Sequence, residues 1–70
     1  MKVLIIVAET ATGYSAYAPD LPGCIASGAS RAEVEQEMRG AVQFHLEGQR
    51  AHGGFPPESH SYATFVEVAA

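Results

Sequence analysis

One long stretch of helical periodicity, Ser30 to Gly53, lies in a chain of 70 residues whose other apolar runs are short and alternate like strands. This feature constrains the fold most, because one helix has one apolar stripe and covers one face of the sheet it meets. Ser30-Arg31-Ala32-Glu33 has the form of a capping box, in which a hydroxyl and a carboxylate reciprocally satisfy free backbone donors. The helix is expected from Arg31 to about His52, roughly 33 Å long at ~1.5 Å per residue. Val34, Met38, Ala41, His45 and Gln49 fall on one face, with Val42, Leu46 and Phe44 on its shoulders. Glu35, Arg39, Gln43 and Arg50 take the opposite side. Gly53 can end the helix in a left-handed cap, and Gly54-Phe55-Pro56-Pro57 rules out its continuation.

The strands are read from alternation and turn chemistry. Lys2 to Glu9 is rich in β-branched residues and apolar on both faces, with Val3, Ile5 and Val7 on one and Leu4, Ile6 and Ala8 on the other. After turn residues Thr10 to Gly13, Tyr14 to Ala18 resumes as the second arm of a hairpin. Leu21-Pro22-Gly23-Cys24 fits a type II turn, since proline presets φ and glycine accepts a positive one; Asp20 is expected to accept a backbone N–H two residues on. Cys24 to Gly28 is a third strand, and Ser61 to Val68, where Tyr62, Thr64, Val66 and Val68 alternate with Ala63, Phe65 and Glu67, a fourth. The expected fold is α+β in the order β-β-β-α-β, a single domain over 1–70. Its mixed four-stranded sheet has the order 3-2-1-4, because a right-handed crossover lays the last strand beside the first. The face that the helix leaves uncovered is expected to meet a second copy or another protein.

Size and charge narrow the function. A domain this short buries only ~60% of the surface its unfolded chain exposes, and a single cysteine forms no internal disulfide, which leaves homo-oligomerisation, as a dimer or tetramer, to supply more core. Eight acidic side chains against four basic ones give a net charge of −4, with Lys2, Arg31, Arg39 and Arg50 scattered. Counterion release needs clustered cations, so direct nucleic-acid binding is not expected. MKVLIIVAE is too short for a signal peptide or a membrane span, and a free thiol suits a reducing compartment; the expected location is the cytoplasm.

No residue pattern calls for catalysis or for a cofactor. Cys24 reads as a small half-buried residue at a strand start rather than a reactive thiol. His45 and His52 lie roughly 10 Å apart along a helix, too far for one metal ion. His60 reads as a solvated loop residue, and Glu33 and Glu37 as a solvated helix shoulder. A metal-dependent enzyme using Asp20, Glu9 and a histidine is the weakest alternative.

Pro19-Asp20-Leu21-Pro22-Gly23-Cys24, then Gly28, then Ser30-x-x-Glu33 at the helix start and a proline pair after the helix, resembles the HicB family of bacterial antitoxins. The likeness runs from the first strand through Val68. It implies a truncated ribonuclease-H-like fold and a non-enzymatic protein that binds and neutralises a small basic, mRNA-cleaving HicA-like toxin. The Pro19 to Cys24 hexapeptide is then a rigid corner between strands two and three that a partner can read, partly through apolar Leu21. Many family members carry a C-terminal DNA-binding domain; the sequence ends at Ala70, so a stand-alone domain is expected. The alternative is a homo-oligomeric scaffold or small-ligand-binding domain without a toxin.

Overall fold

Among the described residues, three antiparallel strands and one helix make up the regular structure: β1 Ile6–Thr10, β2 Gly13–Tyr17, β3 Ile25–Gly28 and α1 Arg31–Ala51. The computed structural model describes residues 1–54 and 59–69. Phe55, Pro56 and Pro57, expected to bar continuation of the helix and to carry the proline pair, lie outside the described residues. The hairpin pairs Ile6 with Tyr17 and Thr10 with Gly13; β2 then pairs with β3 from Tyr14–Gly28 to Tyr17–Ile25.

Opposed residues on neighbouring strands share a face, so the register sorts the side chains. Val7, Ala16 and Ala26 line up on the side that packs against α1, and Ile6, Tyr17 and Ile25 on the other. Small residues on the covered side let the helix come close. At Gly28 a β-carbon would sit 2.7 Å from the Val34 backbone nitrogen, so glycine is what permits β3 to pass the first turn of α1. The buried core is Ala16, Ala18, Leu21, Cys24, Val34 and Met38, with Val3, Ile5, Tyr14, Ala41, Val42 and Leu46 partly buried against it.

Both helix ends are closed by local chemistry. Ser30 is the N-cap, its hydroxyl accepting from the Glu33 N–H at 3.1 Å, which is the hydroxyl half of the expected capping box. At the other end Gly53 has φ 77°, its N–H donates to the Arg50 carbonyl, and the Gly54 N–H donates to the Gln49 carbonyl at 2.7 Å. These two bonds form a Schellman motif, so the helix stops one residue before the expected His52. Phe44, expected on the shoulder of the buried stripe, is 80% exposed. At about 100° per residue it lies roughly 120° round the helix from Met38, well off the covered face.

The expected fourth strand is not formed. Among the described residues the sheet is β1-β2-β3, so the mixed four-stranded order 3-2-1-4 is present only in its antiparallel part. Ser61 to Val68 pairs with no strand, and Tyr62, Phe65, Val66 and Val68 are exposed. The first strand is shortened for a related reason. It was expected from Lys2, but β2 ends at Tyr17 opposite Ile6 and turns away, leaving residues 2–5 without a ladder neighbour. No described helix is long and apolar enough to cross a membrane.

Candidate interaction surface

The Pro19 to Cys24 corner is built by three backbone bonds. The Leu21 N–H donates to the Ala18 carbonyl, the Cys24 N–H to the Leu21 carbonyl at 3.0 Å, and the Ala18 N–H to the Cys24 carbonyl at 3.1 Å. The middle bond, with Gly23 at φ 82°, closes the type II turn that the proline and glycine encode. Two apolar residues point inward: Leu21 is 1% exposed, and Cys24 is buried beside it in the core. Leu21 is therefore an anchor of the fold and not a handle for a partner; a corner held over so small a core needs an apolar plug. Pro22 and Gly23 are exposed, and Pro19 and Asp20 half-buried. Burial pushes the Cys24 thiol pKa up, the opposite of what a reactive thiolate requires.

Asp20 does something different from its expected role. Two residues on stands Pro22, which has no N–H to give. The Asp20 carboxylate instead accepts from the Ser61 hydroxyl at 2.9 Å, the His60 N–H at 3.3 Å and the Ser59 hydroxyl at 3.4 Å. It thus clasps the chain that follows the helix against the corner between β2 and β3. The Ser61 hydroxyl leads in holding the carboxyl below the usual aspartate pKa; partial desolvation opposes it and the backbone bonds assist.

The remaining titratable candidates do not converge. Glu9 sits opposite Tyr14 near the hairpin turn and accepts from its hydroxyl at 3.4 Å, whereas Asp20 follows Tyr17 at the hairpin's open end. Glu33 and Glu37 are exposed on α1. His45 faces Gln49, with Nε2 of each 3.4 Å apart. Among the described residues no three His, Cys, Asp or Glu side chains come together as a metal site.

What the fold does present is an apolar row on the side of the sheet away from α1. Ile6, Tyr17 and Ile25 lie across the three strands in register; Tyr17 is 49% and Ile25 70% exposed. Large apolar side chains set side by side on an uncovered face are the pattern of a protein contact surface. The apolar character of the first strand signalled this row, but Ile25 was hidden in a segment that read only as small residues.

The chain has relatives among known proteins. Residues 2–69 match the family described as HicB_like antitoxin of bacterial toxin-antitoxin system. Over 62 residues the chain is 27% identical to a protein of Haemophilus phage HP1 described as an uncharacterized 14.9 kDa protein in the rep-hol intergenic region, covering 89% of this chain and 47% of that protein. The chain thus spans about half the length of that curated relative. The fold is similar, with a TM-score of 0.65 and 24% identity, to a chain of the solved HicA3 and HicB3 toxin-antitoxin complex, covering 84% of this chain and 72% of that one.

Proposed function

We propose that this chain, which belongs to the HicB-like antitoxin family, binds a small basic toxin of the HicA type and neutralises it by blocking its cleavage of mRNA. The observation that carries this reading is the family match over nearly the whole chain. The similar solved chain comes from a complex named for a toxin and an antitoxin, which supports a protein partner. In this reading the protein is a binder and not an enzyme. It works in the cytoplasm as a single domain over 1–70 that associates with copies of itself, the ribonuclease-H-like order being completed once residues 61–68 pair along β1.

The net charge of −4 steers a basic partner toward it, raising the encounter rate more than the affinity. The partner's seat is the outer row of Ile6, Tyr17 and Ile25, because a tyrosine flanked by aliphatic side chains supplies apolar area at little entropic cost. The test is an RNA-cleavage assay with the small basic protein encoded beside this one. Equimolar addition of this protein is expected to abolish cleavage, and its Ile25→Asp variant to lose that effect while keeping the helical circular-dichroism signal. Cleavage unchanged by stoichiometric wild-type protein overturns the reading.

A further inference from the structure

Among the described residues, two segments have strand character and no strand partner. The first is residues 2–5, where Val3 and Ile5 are half-buried against the core while β2 has already ended at Tyr17, opposite Ile6. No described strand lies on the other side of β1. Backbone donors and acceptors in a half-buried stretch call for a ladder, and an open edge is a template for one. Beside this stretch runs a groove of about 420 Å³ between it and α1, lined by the apolar Val3, Ile5, Met38, Val42 and Leu46 and by the polar Glu35, Arg39 and Gln43.

The second segment is Tyr62 to Val68. Its alternation is that of a strand with an apolar face, yet Tyr62 is 83%, Phe65 100% and Val66 80% exposed. The Asp20 clasp fixes its beginning at Ser61. At ~3.3 Å per residue it is about 23 Å long, against about 26 Å for residues 2–9. The chain therefore carries an unfilled strand position and, elsewhere, a strand able to fill it.

We infer that residues 62–68 of one copy add as a strand along the outer edge of β1 of a second copy, their inward side chains filling the groove beside Val3 and Ile5, and that the exchange is reciprocal. An edge and a strand that are complementary and borne by the same chain make an isologous contact, which closes at two copies related by a two-fold axis. A second copy is the occupant because the segment's own copy does not seat it: the structure holds Phe65 wholly in solvent. The inference rests on the self-association proposed above, specifies its mode, and is independent of toxin binding.

The test combines light scattering with hydrogen exchange on the full chain. The wild type is expected to be a dimer with amides of 62–68 and 3–5 protected; Val66→Pro, which removes a ladder donor from an exposed residue, is expected to be monomeric with its helical signal intact. Val3→Asp, which spoils the groove and leaves the strand, is expected to be monomeric too. Mixing these two variants then restores a hetero-dimer, because an intact strand meets an intact groove across the pair. Failure of the mixture to pair, with 62–68 protected in the wild type, overturns the exchange in favour of a segment that closes on its own chain. A dimer that survives Val66→Pro overturns it in favour of association through another surface. A monomeric wild type overturns this inference and the proposed self-association together, while the RNA-cleavage assay still decides the antitoxin reading.

Discussion

Residues 13–28 and residues 61–68 both carry strand-like sequence and have opposite fates. The first stretch is laddered on β1, packed under α1 and turned by a corner whose Leu21 and Cys24 enter the core. The second is anchored at its start by Asp20 and thereafter exposed. Alternation states which side chains want a common face; it does not supply the neighbouring backbone that makes a strand. Within 13–28 the neighbours are joined by a hairpin turn and by a seven-residue corner held by its own backbone bonds, whereas 61–68 meets no strand edge among the described residues.

The sharpest way to break this contrast is to truncate one large side chain in each region. Met38→Ala is expected to cost about 2–5 kcal/mol of unfolding free energy, because its side chain is fully buried in a core with few large members. Phe65→Ala, measured at a dilution where single copies prevail, is expected to stay within about 0.5 kcal/mol of wild type. Equal urea-midpoint shifts for the two would mean that the segment is docked on its own domain. Next in size is Gly28→Ala, whose β-carbon meets the Val34 nitrogen and forces β3 off the helix; about 1–3 kcal/mol is expected from the same titration.

A gain is expected at Gly40. It lies inside α1 with open space where a β-carbon would go, so Gly40→Ala should stabilise by about 0.5–1 kcal/mol, read as a higher melting temperature. The smallest effect concerns the clasp. Asp20 has a lowered folded-state pKa, so its contribution is present above the ordinary value of 3.8 and is lost as pH falls through the folded value. The stability difference between wild type and Asp20→Asn should therefore be constant near neutrality and vanish in acid. A difference that grows on acidification would contradict the clasp.

The parts of the fold set by near neighbours were legible in the sequence. Ser30, Gly53 and the Pro22-Gly23 turn each act within a few residues, and the structure places all three as their chemistry dictates. The buried stripe was legible at Val34 and Met38 and misread at Phe44, where apolar character was given more weight than angle. Leu21 escaped because a leucine among prolines reads as a loop residue until the core beneath the loop is seen. Asp20 escaped because its partners are about 40 positions away. A signal was nonetheless present, since Pro22 is unable to donate the bond that a local turn would need. The outer row was half legible: strand one announced an apolar uncovered face, but the Tyr17–Ile25 pairing that completes it depends on register.

The Asp20 clasp also fixes a pivot. Beyond Ser61 the chain is an arm of eight described residues, roughly 26 Å at full extension by a ~3.3 Å rise. An arm tied to its own domain meets its own groove at an effective concentration that is in the millimolar range for short flexible links, far above that of any second molecule in dilute solution. Exchange between copies prevails only when the pivot aims the arm away from home. One carboxylate and its three donors thus arbitrate between closing inward and reaching outward.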